Sequence, residues 1–430
     1  MNSGPSPISA LLAAYRDRAA DPVDGARLAL SLANANASRN TYIAQDREWT
    51  LCEAQQLASN GTADERLPLF GVPVALKDCF DLAGFPTSSG SRFYAEHVPA
   101  ATEDSWVAAR LRAAGAVITG KAHLHQLAYG ITGENPDYGD CLQPANAGLL
   151  TGGSSSGSAA AVQEGSALAA IGTDTGGSVR VPAALCGLAG YRSSLRLGDW
   201  RGGWHLSQTF DTIGWLFRDL RDAPLLAEAL FDLPPETRPM AQLKVGVLAG
   251  ELIADCEPVI LNAMAQWQER LAADGAPVQP ITPQFWRGAW DIYAPIQAYE
   301  AAQLHAGHFD RFDPAIAKRL EWGASLGMET ILEVRARHVE FRTQLEQLLD
   351  QVDFILAPAT PVSCLAAGAD HADARANILR HTTPASLGGN PAVVLPSPGC
   401  GVQLIGAHND DRRLLRLAAH LGDVLAAERD

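Results

Sequence analysis

The sequence predicts an α/β protein. Two observations carry that expectation: a strand, helix, strand succession reads from residues 69 to 121, and the same alternation resumes near residue 244. A third bears on size. With 430 residues, 47 % of them hydrophobic and 19 % charged, the chain is long enough for two or three domains or for one large α/β domain, and its composition is that of a globular protein.

In chain order, residues 8 to 60 read as helical. Ile8, Leu11, Leu12 and Tyr15 recur at intervals of three and four, and Leu28, Leu32 and Ala35 begin a second such face. A polar loop, Asn60 to Arg66, follows. The run Leu69 to Asp78 is apolar until it ends in Lys77-Asp78, the pattern of a buried strand whose last residues reach a cleft. Ser105 to Ala114 reads as a helix capped by Asp104-Ser105, and Ala116 to Lys121 as the next strand. Residues 130 to 158 are rich in turn formers. Ala159 to Gly165 has the small residues of a closely packed helix, and Leu168 to Gly172 is a further apolar run. Beyond it come a strand at Lys244 to Leu248, a helix at Val259 to Ala273 and a strand at Val278 to Ile281, which Pro280 confines to a sheet edge. Residues 284 to 350 read as largely helical. Asp353 to Pro358, Val393 to Pro396 and Val402 to Ile405 complete the strands.

Charge and composition exclude several functions. The formal net charge is −15, and no basic run provides a footprint for nucleic acid or an anionic membrane. No uninterrupted apolar window of spanning length occurs, and the first residues lack the layout of a signal peptide. Seven scattered cysteines without CxxC pairs fit neither a disulfide framework nor a cysteine zinc site, so a reduced, cytoplasmic protein is expected.

Chemistry concentrates in two glycine-serine loops on either side of the small-residue helix: Thr151-Gly152-Gly153-Ser154-Ser155-Ser156-Gly157-Ser158, and Gly172-Thr173-Asp174-Thr175-Gly176-Gly177-Ser178-Val179-Arg180-Val181-Pro182. Each alone reads as a flexible turn. Neither has the GxxxxGK[ST] or GxGxxG layout of a phosphate cradle. Gly153 to Gly157 fits the Gly-x-Ser-x-Gly elbow with Ser155 at its centre, but a turn-rich stretch stands where that elbow needs a strand. His123 with His125, and His305 with His308, lack a third metal ligand and read as solvated or packed side chains. Lys77, at the end of an apolar strand, is the candidate base, because desolvation lowers an ammonium pKa toward neutrality.

Taken together, these residues resemble the amidase signature family of serine hydrolases. The likeness runs through Gly71-Val72-Pro73, Leu76-Lys77-Asp78, both loops, Cys186-Gly187 and Gly401 to Gly406, with Ser178 lying 24 positions after Ser154. It implies one α/β/α domain over residues 1–430, a large mixed sheet sandwiched between helices. Residues of about 1–65 would be its N-terminal helical part and about 220–350 a variable, mostly helical part covering the site. It implies Ser178 as nucleophile, Ser154 as bridging serine after a cis peptide bond from Gly153, and Lys77 as base. Backbone N–H groups of Thr175, Gly176, Gly177 and Ser178 would hold an oxyanion, with Gly153, Ser155, Asp174 and Arg180 supporting the loops and Asp174 paired with Arg180.

Ala128, Tyr129 and Ile131 would lie near the acyl pocket. The preceding segment, Lys121-Ala122-His123-Leu124-His125-Gln126, departs from the family's frequent Lys-Thr-Asn-x-x-Glu, which leaves substrate preference open. Thr151 replaces a common proline, and Gly190-Tyr191-Arg192-Ser193 replaces a frequent Gly-x-Lys-Pro. Gly133-Glu134-Asn135-Pro136 and Phe210 to Trp215 look most like the short amidases that include indole-3-acetamide hydrolases. The aromatic cluster from Phe285 to Tyr299 is either core or the lining of an aromatic pocket. The implied activity is hydrolysis of a small carboxamide, with a glutaminase component of a tRNA-dependent amidotransferase, or cleavage of esters, carbamates or ureas, as alternatives. No cofactor or metal is implied. The partner is a small-molecule amide, and oligomeric state is open, dimers being common in the family.

Overall fold

The computed structural model describes residues 4–59, 67–236 and 243–428; the polar loop Asn60 to Arg66 lies outside them. The strands are β1 (Tyr42–Ala44), β2 (Pro73–Lys77), β3 (Val117–Ala122), β4 (Leu142–Gln143), β5 (Asn146–Leu150), β6 (Ala169–Asp174), β7 (Ala189–Arg192), β8 (Thr212–Phe217), β9 (Val245–Leu248), β10 (Val278–Ile281), β11 (Phe354–Pro358), β12 (Ala392–Ser397) and β13 (Cys400–Gly406). Eleven of them form one mixed sheet in the order β1-β3-β2-β6-β8-β7-β12-β13-β11-β9-β10, with helices packed against it, while β4 and β5 pair as a separate hairpin.

The central strands explain their own position. β2, β3, β6 and β8 are buried along their whole length, which requires the near-continuous apolar runs they carry. β2 runs parallel to both β3 and β6, with Val74 opposite Ala169 and Leu76 opposite Ile171. The carboxyl ends of β2 and β6 therefore lie side by side, where open α/β sheets place their ligands. β8 then pairs antiparallel with β6, Asp174 facing Thr212.

The helix Ser156–Glu164 starts between the two glycine-serine loops. Its alanines meet Ala75 of β2, Ala122 of β3 and Ala170 of β6 in a core cluster made largely of small side chains. Small residues on both sides let the helix lie close to the sheet, so the loop at its N-terminus is pressed onto the ends of β2 and β6. The predicted helix near 105 is Trp106–Ala113, and the Ser105 hydroxyl caps it by accepting from Ala108 N–H at 3.3 Å.

Other elements correct the sequence reading. Residues 8 to 60 are not one helical stretch: helices Pro7–Arg16, Pro22–Ala35 and Arg47–Ser59 are interrupted by edge strand β1. The turn-rich interval 130 to 158 contains the hairpin β4-β5, so a strand does precede Ser155, although outside the main sheet. Residues 284 to 350 hold helices Ala289–Leu304, Pro314–Ser325 and Met328–Leu349, as expected, and β10 is at the sheet edge where Pro280 confines it. Strands β7 and β8 and helices Ala374–Gly388 and Asp411–Glu428 have no counterpart in the sequence reading. Among the described residues, no helix is long and apolar enough to cross a membrane.

Candidate active site

Lys77 is the last residue of β2 and is wholly buried. Its Nζ contacts three hydroxyls: Ser154 Oγ at 2.9 Å, Ser155 Oγ at 3.0 Å and Thr173 Oγ1 at 2.7 Å. Burial pushes its pKa down to about 8, against the smaller pull of Cys79, Asp211 and Asp174. At neutral pH roughly a tenth of such lysines is therefore unprotonated and able to accept a proton. Ser155 also donates to the Thr173 carbonyl at 3.2 Å, which ties the first loop to β6. The peptide bond between Gly153 and Ser154 is cis.

Ser178 sits on the turn between β6 and the helix Arg180–Leu185, and its carbonyl accepts from Ser155 N–H at 3.1 Å. The two loops are thus joined through backbone. Among the described residues no hydrogen bond links the Ser154 and Ser178 hydroxyls, so the structure brings Lys77 to Ser154 directly and Ser178 only through the loop. Of the predicted oxyanion donors, Gly177 is corrected: its N–H is taken by Asp174 Oδ1 at 2.8 Å. No described acceptor takes the N–H of Thr175, Gly176 or Ser178, which leaves these three for an incoming oxygen. Thr175 is fixed by its hydroxyl, which donates to Asp211 Oδ1 at 2.6 Å. At Gly176 a Cβ would come within 2.3 Å of Tyr293 Oη, and at Gly177, with φ of +136°, within 2.6 Å of Thr382 Oγ1. Only glycine fits either position.

Asp174 organises this turn. It pairs with Arg180 at 2.9 Å as expected, and also with Arg192 at 2.9 Å, all three side chains being buried. Burial alone would raise its pKa, but the two guanidiniums hold it well below the usual carboxylate range. Arg180 reaches on to the Thr382 carbonyl at 2.8 Å and Gln403 Oε1 at 2.9 Å.

A cavity of about 520 Å³ lies beside the first loop, lined by His125, Ile131, Arg319 and Arg375 among others. It is tied to the loop by backbone: Gly153 N–H donates to the Ile131 carbonyl at 2.7 Å, and His125 N–H donates to the Ser154 carbonyl at 3.1 Å. Of the predicted pocket residues, Ile131 lines this cavity. The Tyr129 ring lies beneath the guanidiniums of Arg319, at 4.9 Å, and Arg375, at 5.4 Å, while Ala128 packs into the main core. The aromatic cluster is largely core: Trp286 and Tyr293 are buried in one apolar cluster with Phe285 and Trp290 packed against it, while Tyr293 also abuts Gly176 and Trp290 lies 5.2 Å from Arg375.

The histidine pairs have other partners. His123 contacts Ser156 Oγ at 2.9 Å and the Gly139 carbonyl at 2.8 Å, and burial lowers it to about 4. His305 contacts Tyr94 Oη at 2.8 Å. A candidate metal-ligand set elsewhere, Asp255, Cys256 and His381, has its carboxylate ion-paired with Arg380 and its thiol pushed up to about 12 by burial.

The sequence reading misses Thr173, Arg192, Arg319 and Arg375 as site residues, and leaves Tyr293 between core and pocket lining. Thr173 and Arg192 stand within the motifs, but nothing in the local pattern marks their direction. The other three reach the site only through tertiary packing.

A mixed sheet with ligand groups at the carboxyl ends of parallel strands, carrying a desolvated lysine among hydroxyls, has the architecture of an α/β enzyme. Comparison with known proteins shows which kind. The family model described as Amidase matches residues 27–415. A glutamyl-tRNA(Gln) amidotransferase subunit of Roseiflexus sp. (strain RS-1) is 31 % identical over 426 residues, covering 87 % of each chain. AtzE of Pseudomonas sp. (strain ADP), a 1-carboxybiuret hydrolase subunit, is 30 % identical, covering 89 % of this chain and 91 % of that one. A solved amidase structure superposes with a TM-score of 0.88 at 30 % identity, over 97 % of this chain and 99 % of that one. The chain belongs to the amidase family: it is an amidase signature enzyme, a hydrolase acting on C–N bonds.

Proposed function

We propose that the protein cleaves the C–N bond of a small carboxamide through an acyl-enzyme on Ser178, giving a carboxylic acid and ammonia or an amine. The observation that carries this reading is the buried Lys77 held 2.9 Å from Ser154, beside a turn whose Thr175, Gly176 and Ser178 N–H groups have no described acceptor. Neutral Lys77 takes the proton of Ser154, which takes that of Ser178. Ser178 Oγ attacks the amide carbonyl, and the carbonyl oxygen becomes an oxyanion held by the free N–H groups. As the C–N bond breaks, Ser154 hands its proton to the leaving nitrogen and recovers one from Lys77. Water, activated by the same relay, then releases the acid and restores Ser178.

The test is ammonia release from a panel of primary amides: aliphatic, aryl, indole-3-acetamide and glutamine. Ser178→Ala is expected to lose at least about 10³-fold in kcat while keeping its circular dichroism spectrum. A folded Ser178→Ala protein that turns over at wild-type rate would refute the assignment. The indole-3-acetamide arm tests the finer likeness, which the motifs at 133 to 136 and 210 to 215 support.

Two relatives favour further readings. The amidotransferase relative favours a glutaminase component, which would release ammonia only with a co-purifying partner and ATP. The 1-carboxybiuret hydrolase relative favours urea- or carbamate-type substrates, which the same acyl transfer would serve.

A further inference from the structure

We infer that the cavity beside the Ser154 loop is a subsite for a carboxylate carried by the substrate, gripped by Arg319 and Arg375. The inference rests on the proposed function and narrows its substrate class to anionic amides.

Two guanidiniums from different helices, Pro314–Ser325 and Ala374–Gly388, converge on the Tyr129 ring and line the cavity. Neither has an ion-pair partner among the described residues, and the Nε of each is buried without an acceptor. Arg375 has one neutral contact, Gln297 Oε1 at 2.8 Å, and Arg319 has no hydrogen bond to a described residue. Like charges do not gather in a half-buried cleft without cause: burial and the neighbouring Arg375 lower Arg319 to about 10, so it stays charged at neutral pH while repelled. An anion between them would relieve that repulsion and fill the empty donors, and a planar carboxylate matches the guanidinium fork.

Of the acids around the cavity, Asp313 attracts Arg319 without forming an ion pair with it, and each holds a donor of its own. Asp313 takes Ala315 N–H at 2.8 Å, Asp370 takes Ala372 N–H at 2.9 Å, Asp140 takes Asn135 N–H at 3.2 Å and Glu134 takes the Thr132 hydroxyl at 2.6 Å. They also disfavour a second negative group nearby, so one carboxylate is the fit rather than a polyanion.

Position couples this pair to the reaction. Arg375 precedes Leu379 by one helical turn, about 6 Å along the axis. Leu379 in turn lies 3.3 Å from where a Cβ on Gly176 would stand. A substrate whose amide carbonyl meets the Gly176 turn can thus reach Arg375 with a carboxylate a few carbons away. A neutral amide gains nothing from either arginine.

The experiment compares glutaramate, which carries a carboxylate, with pentanamide, which does not. The wild-type kcat/KM is expected to favour glutaramate by about tenfold or more, the worth of one charge-assisted contact. Arg375→Gln and Arg319→Gln should collapse that ratio, and Arg375→Lys should restore part of it. Equal turnover of the two amides by wild type, or a ratio that survives both Gln variants, would overturn the subsite. Calorimetric titration of Ser178→Ala with glutaramate, a single-carboxylate ligand, separates the two readings, since it needs no turnover. Saturable binding that Arg375→Gln weakens by about tenfold supports the subsite even where no amide is cut, and no binding refutes it. Full activity in Ser178→Ala refutes the nucleophile instead.

Discussion

Three hydroxyl oxygens surround the Lys77 ammonium, and a protonated amine can donate to all three. A neutral amine has two N–H bonds and a lone pair, so on deprotonation one hydroxyl must turn round and donate. Ser155 is committed to the Thr173 carbonyl, which leaves Ser154 and Thr173. Reversal at Ser154 is the first step of the proposed relay. The base is the unprotonated form, so kcat/KM should rise with pH through about 8, the value to which burial lowers Lys77. Thr173→Val removes an acceptor that favours the charged form, and the acid limb should then move to lower pH by about one unit. A pH–rate profile with an unmoved limb would show that Thr173 does not tune Lys77. Lys77 is legible in the sequence because an apolar strand ends on it. Thr173 is not, because one threonine in a loop of hydroxyls carries no signal of its direction until β2 and β6 are side by side.

The small-residue helix Ser156–Glu164 carries the loop at one end and a half-buried carboxyl at the other. Glu164 accepts from Thr41 at 2.9 Å and Ser166 at 2.6 Å, yet burial raises its pKa to about 7. It also stands at a helix C-terminus, where negative charge is disfavoured. A carboxyl with a raised folded pKa contributes stability below its unfolded value, and that contribution is lost as pH rises through about 7. Glu164→Gln should therefore stabilise the protein at pH 8.5 by on the order of 1 kcal/mol, the burial being partial, and give no gain at pH 4. Melting temperatures at the two pH values check this, and a gain of equal size at both would refute it. Most elements of this size are legible because period and burial agree, as in β2, Trp106–Ala113 and β3. The hairpin β4-β5 is not, since Asn146-Ala147-Gly148 has neither strand period nor strand composition. In β8 the apolar run Ile213 to Phe217 is present, but it overlaps a motif and is too short to declare itself a strand alone.

At the scale of the molecule, one buried carboxylate ties distant strands together. Asp174 ends β6, Arg192 ends β7, and Arg180 reaches Gln403 in β13, whose amide donates to Pro358 of β11 at 2.8 Å. Asp174→Asn would leave two guanidiniums buried with the carboxylate's charge gone from between them. It should cost about 3–5 kcal/mol, seen as a lower urea midpoint, and activity should fall because the Ser178 turn loses its anchor. An unchanged midpoint would show that the network is dispensable. The Asp174–Arg180 half is legible from a six-residue spacing in one loop, whereas Arg192 comes from another strand and needs the sheet. The sheet also has two open ends, and one of them is β10. An exposed strand is a template on which another chain can polymerise by backbone pairing. Pro280 stands mid-strand there and has no N–H to offer, so an added strand would find a gap in its ladder: the same residue that confines β10 to the margin also discourages copies of this protein from stitching themselves into a continuous ribbon.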